Sequence, residues 1–253
     1  MRTDLNADVG ESFGAFVLGQ DPVIMPCVTS VSVACGFHAG DPGVMRETVA
    51  LARQHGVAVG AHPGFPDLAG FGRRQMRLTP TEIEDLVVYQ IGALAAVAAA
   101  QGVRLQHVKP HGALYNMAAG EPLLADAIAR AVASVDSSLV LVGLSGSALV
   151  DAGRRAGLRT ASEVFADRGY RANGSLVPRD APGAVLEDPE VVSARALEML
   201  RRLEIASVDG SAVRVQPDTI CVHGDTPGAA NLARAIRRTL EDAGIAVKAM
   251  ASA

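Results

Sequence analysis

Histidines and carboxylates recur in this chain at one kind of place, where a short apolar run gives way to a turn. His38 closes VSVACGFHAGD, His62 closes VAVGAHPG, His107 and His111 bracket QHVKPHG, and His223 closes TICVHGD. The first run, TDLNADVGE, ends instead on carboxylates, at Asp4, Asp8 and Glu11. Near neutral pH an imidazole can move a proton or hold a metal ion, and a carboxylate can orient it or share the proton. Delivered repeatedly to strand ends, such groups imply one polar pocket built from distant segments, and therefore an enzyme.

Residues two apart share a strand face. Asp4, Asn6 and Asp8 thus point one way, as do His107, Lys109 and, if the run extends so far, His111. The same holds for Glu163 with Asp167 and for His223 with Asp225. A lone buried charge is costly, whereas several at one height can neutralise one another and shift each other's pKa values. Lys near a strand's end is seldom needed for packing. Lys109 could neutralise a phosphate or carboxylate, stabilise an oxyanion or form a Schiff base. One Asp and two His could also hold a divalent ion with open positions for water.

Plainer readings stand beside these. His38 and His62 could cap turns. Asp41 is accounted for as the cap before Pro42, and Asp225 is equally a loop carboxylate or a partner that fixes His223. His55 suits the end of a helix and receives no function. Cys35 and Cys221 read as small packing residues. Arg73, Arg74, Arg168 and Arg179 lie in loops and could clamp an anion, although solvated charge is the default for each. No G-x-x-x-x-G-K-[ST], G-x-S-x-G or H-E-x-x-H sequence occurs, which removes the standard phosphate loop, the serine elbow and the helical zinc motif.

What must position these residues follows from pattern. Short β-branched runs at about 2–8, 30–36, 57–61, 105–109, 139–143, 159–165 and 219–223 alternate with helical stretches. Helix starts are marked by Asp41-Pro42, Thr79-Pro80, Asp188-Pro189 and Thr226-Pro227, and Thr79 with Glu82 forms a capping box. Gly56, Gly102, Gly157 and Gly244 mark helix ends. Strands separated by helices pair in parallel through right-handed crossovers. Seven units fit a closed or nearly closed TIM-like (β/α)7 barrel. An open doubly wound sheet is the alternative, but it would gather polar groups at one switch point rather than after nearly every strand. The expected organisation is a single domain, residues 1–253. It carries a loop and a β-hairpin on Asp209-Gly210 as an insertion at about 168–218.

Composition closes off other classes. The 253 residues are 49% apolar and 20% charged, enough for a sizeable core. A net charge of −4, no Trp and 4% aromatics argue against nucleic acid as partner. The N-terminus lacks a signal-peptide run, and the most apolar window, residues 91–100, is too short to span a bilayer. Three widely spaced Cys without a C-x-x-C suit a reduced cytoplasmic protein.

The motifs DLNADVGES (4–12), ACGFHAGDP (34–42), GAHPGFPDLAGFGRR (60–74) and HVKPHGALYN (107–116) resemble the LamB/YcsF family. EVFADRGY (163–170), GSLVPRDAPGAV (174–185) and CVHGDTPGA (221–229) extend the match, in the family's order, over essentially the whole chain. Gly169 and Asn173 are small departures, at positions where the family is expected to carry another small residue and Asp. The resemblance implies a barrel of the glycoside hydrolase and deacetylase type. It further implies ATP-dependent opening of the 5-oxoproline lactam to L-glutamate, with this chain as the A subunit of a 5-oxoprolinase that also contains subunits B and C. On it rest catalytic expectations for Asp8, Lys109, His62 and His111, and substrate-pocket expectations for Asn6, His38, His223, Asp225 and Arg168. By analogy with the deacetylase Asp–His–His triad, Asp8, His62 and His111 are the expected ligands if a divalent metal is held. ATP is expected to bind through the complex. Self-association is compatible with the sequence. Two rivals remain: a stand-alone metal-dependent deacetylase or amidohydrolase acting on a sugar, marked by tightly bound zinc and activity without ATP, and a non-catalytic scaffold, marked by indifference to pocket mutations.

Overall fold

The computed structural model describes residues 1–179, 181–223 and 228–250, and the backbone alone of His223. The elements run β1 (Arg2–Val9), α1 (Asp21–Ile24), β2 (Ser30–Ala34), α2 (Pro42–His55), β3 (Ala58–His62), α3 (Pro80–Ala99), β4 (Leu105–Val108), α4 (Gly112–Gly120), α5 (Pro122–Val135), β5 (Val140–Leu144), α6 (Ala148–Arg155) and β6 (Arg159–Phe165). They continue with α7 (Pro189–Arg202), β7 (Glu204–Ala206), β8 (Ala212–Arg214), β9 (Thr219–His223), α8 (Ala229–Asp242) and β10 (Ala246–Val247).

Strands β1 to β6 and then β9 pair in that order, and β9 returns to β1, closing a seven-stranded barrel. Every pairing around the ring is parallel. The open-sheet alternative is thereby excluded. Closure brings β1 between β2 and β9, with Asn6 opposite both Ser30 and Cys221. Strand β10 extends the sheet only at the start of β1.

Alternation along each strand divides the molecule into two layers. Leu5, Ala7, Val31, Val33, Val59, Ala61, Val108, Leu141, Val164, Ile220 and Val222 belong to the main core between strands and helices. The opposite faces fill the barrel, where Val140, Val142 and Ala161 make a small apolar cluster and most other inward groups are polar. Asp41 caps α2 through Gly43 and Val44 N–H groups, and the Thr79–Glu82 capping box forms in both directions. Gly56 ends α2 at φ 65°, where a side chain would be strained.

Three expectations need adjustment, and one falls outside the described residues. The strand expected over 30–36 stops at Ala34, and Gly36 turns at φ 98°. Thr226-Pro227 lies outside the described residues, and α8 begins at Ala229 behind Gly228. The β7–β8 hairpin is joined by residues 207–211 rather than by a two-residue turn. Asp209 Oδ1 accepts from Ser207 Oγ and Ser211 N–H, while Ser207 N–H donates to the Ser211 carbonyl. Helix α7 also falls inside the stretch read as insertion.

Candidate active site

Because all seven strands are parallel, their C-terminal ends meet at one mouth, and the chemistry-bearing residues arrive there from different segments. Asp8 ends β1, His62 ends β3, Lys109 follows β4, and His111 precedes α4. Lys109 is almost wholly buried. Its Nζ donates to Asn6 Oδ1 at 2.9 Å, to Glu163 Oε1 at 3.0 Å and to Cys221 Sγ at 3.2 Å, and it lies 2.6 Å from Asp8 Oδ1. Burial by itself would drive the Lys109 ammonium toward neutrality. Asp8, followed by Glu163, overcomes this and holds its pKa well above the ordinary value. Of the roles open from the sequence, this favours a fixed positive charge over a Schiff-base amine.

The charge is embedded in a continuous polar column. Glu163 is fully buried, and its Oε1 accepts from Asn6 Nδ2 while Oε2 accepts from the Tyr115 hydroxyl at 2.7 Å. Asn6 Nδ2 also donates to Thr219 Oγ1 at 2.6 Å, and Thr219 donates to Asp4. Thr29 and Ser30 complete the hydroxyl shell around Asp4. Burial raises the Asp4 pKa, and those hydroxyls counter only part of the rise.

The imidazoles lie on the other side of Asp8. His62 Nδ1 is 2.7 Å from the Lys109 carbonyl, and His111 Nε2 is 2.8 Å from the Phe71 carbonyl. A carbonyl can only accept, so each of these nitrogens carries its ring's proton. The remaining nitrogens, His62 Nε2 and His111 Nδ1, face one another at 3.0 Å as lone pairs. Asp8 Oδ2 approaches His62 Nε2 at 3.4 Å, and Glu11 Oε1 approaches His111 Nδ1 at 3.5 Å. His38, fully buried, stacks on His111 at 3.8 Å with the rings nearly parallel. Burial, followed by repulsion from neighbouring rings, keeps His38 and His111 neutral, with His111 lowered to about 3. Glycines make room for this stack: a Cβ at Gly64 would stand 2.6 Å from His38 Nδ1, and one at Gly72 would stand 2.8 Å from both His38 and His111.

The structure thus brings together Asn6, Asp8, His38, His62, Lys109 and His111. For His223, only the strand position opposite Asp8 is described, and Asp225 lies outside the described residues. Arg168 is buried near the same mouth, but its Nε and Nη2 donate to the Ala184 and Val177 carbonyls, stapling the β6–α7 loop. Arg74 pairs with Asp67, and Arg73 lies over the Phe71 ring. His107 faces the barrel interior against Ser32 Oγ at 3.2 Å, in room left by Gly60. Sequence reasoning singles out Glu11 and Glu163 without giving them a role, and it misses Tyr115. Both carboxylates carry a signal, Glu11 by closing the run TDLNADVGE and Glu163 by its strand-face parity with Asp167. Asn173 makes a local turn, its Oδ1 accepting from Ser175.

A (β/α)7 barrel with its polar groups converging on one mouth defines the class of protein. The chain belongs to the LamB/YcsF family, whose pattern matches residues 3–253. It is 58% identical over 249 residues to a protein of Heliobacterium modesticaldum described as the A subunit of 5-oxoprolinase, covering 98% of each chain. A protein of the same description from Syntrophobacter fumaroxidans is 54% identical, covering 99% of each. The crystal structure of the lactam utilization protein of Thermus thermophilus superposes with a TM-score of 0.93 at 51% identity, over 98% of this chain and all of that one.

Proposed function

We propose that this chain is the A subunit of a 5-oxoprolinase and performs the hydrolytic part of ATP-dependent opening of 5-oxo-L-proline to L-glutamate. The observation that carries this reading is the buried Lys109–Asp8 pair set directly against the paired lone nitrogens of His62 and His111. The names of relatives more than half identical over the full length supply the substrate. A five-membered lactam is a stable amide, and coupling to ATP removes that obstacle. Transfer of the γ-phosphoryl group to the amide oxygen makes the ring carbon electrophilic. Water then adds to that carbon, the ring nitrogen leaves as the amine, and hydrolysis of the resulting acyl phosphate gives the side-chain carboxylate and inorganic phosphate.

In this scheme Asp8 accepts the proton of water, with His62 and His111 as its collaborators. Lys109 offsets negative charge developing on the adduct. Asn6, His38, His223, Asp225 and Arg168 complete the substrate pocket, Arg168 by fixing the loop over it. The His62–His111 pair also fits a divalent ion, since two facing lone pairs repel unless a cation lies between them. Bound there, such an ion would polarise the carbonyl or water.

The sequence carries no phosphate-cradling loop, so partner subunits B and C are assigned the phosphorylation, in the cytoplasm. No described helix is long and apolar enough to cross a membrane.

The test is reconstitution with those partners, measuring glutamate and phosphate release with and without chelator. Release that requires all three chains and is lost in Asp8→Asn supports the proposal. Opening of 5-oxoproline by this chain and ATP alone would refute the division of labour. Full activity after Asp8→Asn would favour the scaffold reading.

A further inference from the structure

The donor set expected from the deacetylase analogy, Asp8 with His62 and His111, leaves two neighbouring groups unexplained. His38 is fully buried, yet neither ring nitrogen has a hydrogen-bond partner among the described residues. A neutral imidazole so placed hides one donor and one acceptor from water, a cost that persists in native structures only for a reason. Glu11, also buried, directs Oε1 toward the same space, 3.9 Å from His38 Nε2 and 3.5 Å from His111 Nδ1.

One ligand atom from each of Glu11, His38, His62 and His111 can be chosen so that all four lie within 4.8 Å of one another. Metal–nitrogen bonds of about 2.0–2.1 Å place tetrahedral ligands about 3.3 Å apart. The 3.0 Å and 3.5 Å separations already approach that edge; His38, stacked parallel to His111, would have to turn out of the stack for its lone pair to reach the same ion. The opposite nitrogens of His62 and His111 donate to backbone carbonyls, the arrangement that fixes the tautomer of a metal-bound histidine. Asp8 is differently engaged. Its Oδ1 lies against the Lys109 ammonium, a positive charge that would repel a metal ion bound to the same carboxylate.

We infer that Glu11, His38, His62 and His111 form a binding site for one divalent transition-metal ion, of zinc-like preference, and that Asp8 stands beside this site as a proton acceptor rather than in it. Three imidazoles and one carboxylate are borderline donors, better matched to zinc than to magnesium or calcium. Gly64 and Gly72 are the positions that keep the His38–His111 stack from being filled by side chains. What the ion does for lactam opening rests on the function proposed above. Its binding does not.

The test titrates the chelator-stripped full chain with Zn2+ by calorimetry and counts bound metal by elemental analysis. One equivalent is expected. Glu11→Gln and His38→Gln should each weaken Zn2+ binding on the order of ten- to a hundredfold, and Asp8→Asn should leave it within a few-fold while abolishing turnover in the reconstituted complex. Glu11→Gln is the variant least prone to misfold, because Gln fills the same volume, and circular dichroism checks each fold. No stoichiometric binding by folded wild-type chain, or loss of binding in Asp8→Asn with retention in Glu11→Gln, overturns the site. Lactam opening by a complex whose folded A chain binds no zinc would sink the site but spare the proposed function. Stoichiometric zinc with no lactam opening in the complex would spare the site and sink the function.

Discussion

At Lys109, one ammonium meets two carboxylates, an amide oxygen and a thiol in a space closed to solvent. Removing one member of a buried ion pair strands the others, which costs about 3–5 kcal/mol. Lys109→Ala should therefore lose both activity and that order of stability, because Asp8 and Glu163 remain behind. Urea denaturation measures it, and a loss below about 1 kcal/mol would mean that the pair is hydrated or protonated. Asp8→Asn is the gentler probe: it keeps volume and hydrogen-bonding capacity, so the barrel should survive while turnover disappears. The buried site of the Cys221 thiol beside the ammonium disfavours the nucleophilic thiolate. Burial raises its pKa well above the ordinary value, and Lys109 offsets only part of that rise.

Individual elements show how local sequence positions distant chemistry. Strand β1 offers Asp4, Asn6 and Asp8 to the interior at three successive heights, by the period of two alone. The β6–α7 loop is held differently, through the Arg168 guanidinium and its carbonyl acceptors together with the Arg195 bonds to the Ala166 and Arg168 carbonyls. Burial lowers the Arg168 pKa, the cation of Arg179 adds to the fall, and Asp167 opposes it. Arg168→Ala should loosen this loop without opening the barrel. Limited proteolysis is expected to cut within 171–187 severalfold faster, with KM for the lactam raised and the melting temperature nearly unchanged. Equal cleavage rates in both proteins would remove the staple from the account.

For the molecule as a whole, buried neutral imidazoles link stability to pH. Burial, then the nearby Lys109 charge, lowers His107 to about 3, against 6.5 for the free side chain. In the unfolded chain His107 takes up a proton below about pH 6.5, but in the folded barrel it does not. The native state is thus favoured in full above that pH, and its advantage shrinks as pH falls toward 3. Chemical denaturation between about pH 7 and pH 4 should show a declining free energy whose slope is reduced in His107→Gln. An unchanged slope in that variant would reassign the acid sensitivity to other groups.

The order of strands and helices, the inward parity of Asp4, Asn6, Asp8, His107 and Lys109, and the caps at Asp41 and Thr79 were legible in the chain, because each depends on neighbours within a few residues. The family motifs gave His38, His62 and His111 as members of one site, but not which nitrogen faces which. That Glu11 meets His111 and that Tyr115 closes on Glu163 were decided only by closure of the barrel. Such contacts join segments tens to more than a hundred residues apart. Periodicity assigns a face to each residue; only the register and tilt of seven closed strands assign it a partner.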